Sequence, residues 1–103
     1  MKVLVIPAKK GGIHEQDVPN ELNSLQEFVG GYIEAGTPAQ LREEGICLLC
    51  NEEGLLKGLD PNENLYPFFY VGQCVMVGVA GDDFAGLTDP QLRFIYQWFI
   101  SSI

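Results

Sequence analysis

The stretch "YVGQCVMVGVAG" (70–81) constrains the fold most, because it is the strongest strand signal in the chain. Valine-rich runs of this length between turn residues are strands, and Gly72 and Gly78 permit a bulge or a close backbone approach. "GDDF" then turns the chain, and "FAGL" returns as a short segment. "TDPQLRFIYQWFISSI" opens with Thr88 and Gln91 in capping-box spacing and with Pro90 in the first turn, where its missing N–H costs nothing. These signals predict a C-terminal helix.

The rest of the chain supplies further strands. "KVLVIPA" (2–8) is a first strand, "KKGG" a turn, and "IHEQDV" (13–18) an edge strand or extended arm in which His14 is a half-exposed residue. A helix over about 20–29 follows, with Asn20 as its N-cap and Leu22, Leu25, Phe28 and Val29 on one side. Gly30-Gly31 stops it, since one of the pair can take the left-handed conformation at the helix end. "YIEA" resumes as a strand, "TPAQLREEG" crosses as a loop or one short turn, and "ICLLC" is a buried strand. Hairpin-linked strands without a βαβ series give an α+β class: one domain (1–103) with a mainly antiparallel, hairpin-rich sheet. A short helix in the N-terminal half and the C-terminal helix pack on that sheet.

Asn51-Glu52-Glu53-Gly54 lies between "ICLLC" and "LLKGL", so it is predicted to be a hairpin turn between two strands. Adjacent carboxylates on an exposed tip diverge into water, and general acid–base chemistry needs a held pair. The spacing also fails the calcium-loop pattern. Cys47 and Cys50 have the gap of a zinc knuckle, with Cys74 and His14 as conceivable further ligands. Residues three apart on a strand point to opposite faces, however, so no metal and no cofactor are expected.

Eight excess negative charges, from 14 Asp and Glu against 6 Lys and Arg, leave no basic stripe for a phosphate backbone. Direct nucleic-acid binding is not expected, and the acids are too scattered to imitate DNA. No apolar run reaches the roughly 18–20 residues of a bilayer span, so no membrane association is expected. With three cysteines in no framework spacing, the chain is read as cytoplasmic with free thiols.

"SLQEFVGGYIEA" (24–35), "CNEEGLLKGLDPNENL" (50–65), Gly72 and "GDDFAGLTDPQL" (81–92) together resemble the domain-of-unknown-function family numbered 3846, over nearly the whole chain. The resemblance implies an origin in Gram-positive bacteria, their phages or their mobile elements. It implies no activity.

Three functions are open to such a chain. The favoured one is a non-catalytic protein-interaction module of a phage or mobile element, acting on a host protein or on its own copies. Its candidate contact residues are Phe94, Trp98, Asn51, Glu52, Glu53, Gly54 and Asn62. On a helical wheel Leu92, Ile95, Tyr96, Phe99 and Ile103 form the core stripe. Phe94 and Trp98 fall outside it, as an exposed patch suited to a homodimer unless the loop "YPFF" covers them. The second reading is a small-molecule or nucleotide binder that sequesters a host defence signal, with anion contacts from Lys9, Lys10, Arg42 and Arg93. An enzyme would have only His14, Glu52 and Glu53 to work with.

Overall fold

Side chains alternate across a strand, and in this protein both sides of the alternation are apolar. Leu4 and Ile6, Ile46 and Leu48, and Cys74 and Met76 point to one face, while Val3 and Val5, Leu49, and Val75 and Val77 point to the other. A sheet of this kind must be covered twice. The computed structural model, which describes residues 1–102, shows how.

The strands are β1 (Lys2–Ile6), β2 (His14–Asp17), β3 (Ile33–Ala35), β4 (Ile46–Asn51), β5 (Cys74–Ala80) and β6 (Asp83–Ala85). The helices are α1 (Leu22–Val29), α2 (Ala39–Arg42) and α3 (Asp89–Ser102). The sheet runs β2-β1-β5-β4-β3, all neighbours antiparallel. Gly78 pairs with Ile46 of β4 on one side and Ala85 of β6 on the other, so β6 lies in line with β1 along the same side of β5. A Cβ on Gly78 would sit 2.9 Å from the Gly86 carbonyl, which is the close approach expected of that glycine. β5 is therefore central, as its composition requires.

Helix α1 covers the valine face through Leu25 and Val29. It ends at Gly30, whose φ of 77° is left-handed and whose N–H reaches the Gln26 carbonyl at 2.9 Å. Asn20 is not its cap: Glu21 holds that position without a side-chain bond, and the Asn20 amide donates instead to the Phe84 carbonyl at 3.0 Å. The opposite face is covered by α3, Leu41 of α2 and Leu65 of the β4–β5 connection. At the start of α3 the capping box forms in both directions. Thr88 N–H donates to Gln91 Oε1 at 2.9 Å, and Gln91 N–H donates to Thr88 Oγ1 at 3.3 Å. The result is a three-layer α+β domain, with hairpins at β1–β2 and β5–β6.

The connection from β4 to β5 is not the hairpin expected from "NEEG". "LLKGL" forms no strand. The Asn51 Oδ1 accepts the Glu53 N–H at 2.8 Å and the Asn51 carbonyl accepts that of Gly54 at 3.1 Å, which starts a helical turn. Lys57 N–H continues it to the Glu53 carbonyl at 2.9 Å and Gly58 N–H to the Leu55 carbonyl at 3.1 Å, so the backbone of 53–58 coils on itself instead of extending into a ladder. Residues 52–73 thus become a long excursion across the α3 side of the sheet. No helix among the described residues is long and apolar enough to cross a membrane.

Candidate functional site

Two buried asparagines organise this excursion. Asn62 donates to the carbonyls of Ile6 at 3.1 Å and Gly72 at 2.9 Å, and its Oδ1 accepts the Leu65 N–H at 3.2 Å. Asn64 donates to the carbonyls of Pro7, Lys9 and Gly11 and accepts the Gly11 N–H, which fastens the β1–β2 turn to the same segment. Asn51 is buried as well, its amide donating to the Val29 carbonyl at the end of α1 at 3.0 Å. Both Asn51 and Asn62 were candidate contact residues, and the structure assigns them to internal bonds. Buried amides of this kind leave no polar atom for a partner.

The aromatic patch on α3 is corrected in the same way. Trp98 is only 5% exposed, lying between Phe68, with centroids 5.3 Å apart, and Phe99 at 5.2 Å. Phe94 is half-buried against the core. The buried line is Leu92, Ile95 and Trp98, whereas Tyr96 is exposed, so the helix is rotated from the orientation expected of it. The "YPFF" loop supplies Phe68 as the cover. Ile103, placed in the expected stripe, lies outside the described residues.

The remaining candidates are dispersed. His14 sits on β2, bonded to the Gly12 carbonyl at 2.8 Å, whereas Glu52 and Glu53 follow β4. β2 and β4 are three strand positions apart, roughly 14 Å by ordinary strand spacing, so this acid–base set does not assemble. Lys9, Lys10 and Arg42 are exposed around three different clefts and Arg93 on α3, with no convergence that would hold an anion. Cys47 packs on the α1 side of the sheet and Cys50 on the α3 side, as their spacing requires. Burial raises the thiol pKa of Cys50, and raises that of Cys74 to about 12, so neither has the lowered pKa of a reactive cysteine.

What the structure does bring together is apolar. Leu55, Leu56 and Phe69 are 70%, 88% and 71% exposed and line one groove of about 480 Å³. Its floor is Tyr70 and Cys50, and its walls include Glu34 of β3 and Glu52. The Tyr70 hydroxyl donates to the Gly36 carbonyl just beyond β3, tying the excursion to that edge of the sheet. Burial raises the phenol pKa to about 12, so it stays a neutral donor. Gly54 lies beneath the groove where a Cβ would meet Val71 Cγ2 at 2.6 Å, so the turn and the returning chain touch only because that residue has no side chain. Among the described residues the lining holds two carboxylates and no cation. Leu55 and Leu56 were missed because adjacent leucines look like strand, and the one local mark against it is their position between Gly54 and Gly58; Phe69 lies in a loop whose pattern does not show what it faces.

A second groove of about 640 Å³ lies between α3 and the two asparagine-held loops, lined by Lys10, Glu63, Tyr66, Tyr96 and Ile100 among others. Two of its polar groups are committed to internal bonds. Asn64 holds the loops, and the Tyr96 hydroxyl donates to Glu15 at 2.6 Å.

Residues 1–100 match the model of the family described as Domain of unknown function (DUF3846), and the chain belongs to that family. No curated protein and no solved structure matches it.

Proposed function

We propose that this DUF3846 protein is a non-catalytic interaction module whose docking surface is the groove between β3 and the 52–71 excursion. It takes a basic segment of another protein that carries large apolar side chains. The observation that carries this reading is the exposure of Leu55, Leu56 and Phe69 around one acidic-walled groove, in a chain of net charge −8. Apolar side chains clustered in a groove mark an interaction site, and the carboxylates Glu34 and Glu52 select the sign of the partner. In the phage or mobile-element setting that the family resemblance implies, the segment belongs to a host protein met in the cytoplasm.

The test is selection from a random peptide display library on wild type, with parallel selection on Leu56→Asp and Phe69→Asp. Enriched peptides are expected to combine Lys or Arg with large apolar residues and to lose binding to both variants. Enrichment of acidic peptides, or enrichment indifferent to both substitutions, overturns the proposal.

A further inference from the structure

The docking groove opens onto a sheet edge that, among the described residues, has no strand beyond it. β3 is the last strand of the order β2-β1-β5-β4-β3, paired with β4 in the register Ile33↔Asn51, Glu34↔Cys50, Ala35↔Leu49. The ladder continues past the three-residue strand at both ends. Glu52 N–H donates to the Tyr32 carbonyl at 2.8 Å, and Gly36 N–H donates to the Leu48 carbonyl at 3.0 Å. In an antiparallel pair the bonded residues alternate with unbonded ones. Tyr32, Glu34 and Gly36 are therefore the residues turned toward β4, and the N–H and C=O groups of Ile33 and Ala35 face away from it.

Glu34 lies opposite Cys50, and cross-strand partners share a face, so its side chain is on the groove side. A strand laid along β3 would place every second side chain on that same side, beside Phe69 and Leu56. A basic segment suits this edge better than the β3 of a second copy in the two-fold register. In the register that pairs Ile33 with Ala35 of the copy, Glu34 opposes Glu34, and like charges directly opposite are destabilising. On this basis we infer that the protein captures its partner by β-augmentation. An extended segment adds to the free edge of β3, bonds Ile33 and Ala35 through its backbone, and turns every second side chain to the groove, where apolar ones meet Leu56 and Phe69 and basic ones meet Glu34 and Glu52. This rests on the docking reading above and specifies the conformation of the partner.

The probe is the octapeptide Thr-Lys-Thr-Leu-Thr-Lys-Thr-Leu, an alternating sequence in which Lys and Leu share one face of the strand. Its controls are the same octapeptide with Glu in place of Lys and an octapeptide of the probe's composition with Lys and Leu at helical spacing. Binding is followed by amide NMR and titration calorimetry. The alternating basic peptide is expected to bind about tenfold or more tighter than either control, and to slow hydrogen exchange at Ile33 and Ala35. Ala35→Pro removes an outward N–H without touching the β4 ladder, and it is expected to abolish binding with the fold intact. If binding is lost with Leu56→Asp yet survives Ala35→Pro with Ile33 and Ala35 unprotected, the edge inference fails while the groove stands. If Leu56→Asp and Phe69→Asp leave binding unchanged, the groove fails too. Equal binding of the helical-spacing peptide, or no binding of the alternating peptide, overturns the inference.

Discussion

The two edges of the sheet are finished in opposite ways. At one edge β2 carries four exposed polar residues, His14, Glu15, Gln16 and Asp17. Glu15 is paired there to Lys2 at 3.5 Å and to the Tyr96 hydroxyl at 2.6 Å. At the other edge β3 is flanked by Leu55, Leu56 and Phe69 in the open. Charged residues on an edge discourage pairing with another chain, whereas an apolar surround invites it. One edge of this sheet is closed by charge and the other is flanked by apolar side chains in the open.

The largest effect expected from breaking this contrast comes from the excursion that builds the β3 side. Asn62→Ala removes the side-chain bonds to Ile6, Gly72 and Leu65; the Leu65 N–H keeps its bond to the backbone carbonyl of residue 62 at 3.3 Å and the Gly72 carbonyl keeps the Cys74 thiol at 3.7 Å. At about 1 kcal/mol for each bond, the loss is about 3 kcal/mol in denaturant unfolding. A loss below about 1 kcal/mol would show that the excursion is held by its apolar contacts alone. The β2 edge is bonded to β1 independently of Asn62, so its amide protection should change only with global stability.

A smaller effect is expected at the helix end beside β3. Gly30→Ala places a Cβ at φ 77°, at a cost of about 1 kcal/mol. Gly31→Ala meets a different obstacle, because its Cβ would stand 3.0 Å from the Asn51 Nδ2 that bonds the Val29 carbonyl. Both substitutions should lower the midpoint of unfolding, and only the second should disturb the Asn51 amide resonances. An unshifted Asn51 signal in Gly31→Ala would place that bond elsewhere.

These examples separate what was legible in the sequence from what was not. The Thr88–Gln91 box, the Gly30 stop and the opposed Cys47 and Cys50 are local or periodic, and each is present in the structure. The rotation of α3 is not local. Its aromatic side is buried because Phe68, distant in sequence, lies on Trp98, and no wheel drawn on the helix alone contains that contact. The turn at Asn51 was read correctly as a turn, but its side chain caps a helical segment, which directs Leu55 and Leu56 to the surface instead of into a strand. The candidate groove was illegible for that reason. It is assembled from residues in three segments: the pattern of Leu55 and Leu56 pointed to a strand and that of Phe69 to a loop, and neither alone showed that they meet beside β3.

Leu56→Asp sharpens the contrast without loss of fold. An exposed leucine outside special features contributes little, so stability should stay within about 0.5 kcal/mol of wild type. Binding of a hydrophobic dye should fall, since the β3 side then resembles the β2 side in polarity. A destabilisation beyond about 2 kcal/mol would mean that Leu56 is a core residue and that the groove is closed in solution.

The smallest effect concerns the closed edge and is read by titration of Glu15. Its carboxyl is held below the ordinary value of 4.5, first by the hydrogen bond from Tyr96, against the opposing effect of burial, and then by the charge and hydrogen bond of Lys2. A depressed acid contributes stability above its unfolded pKa and loses it as pH falls through the folded value. The contribution of this edge should therefore fade on the acid side of 4.5. Tyr96→Phe is expected to raise the Glu15 pKa toward that ordinary value, and Lys2→Gln to raise it less, both followed by carboxyl NMR. Because Tyr96 lies on α3, the larger shift would show that β2 is neutralised by the helix layer and not only by its neighbouring strand. A larger shift in Lys2→Gln would assign the closure of this edge to the ion pair instead.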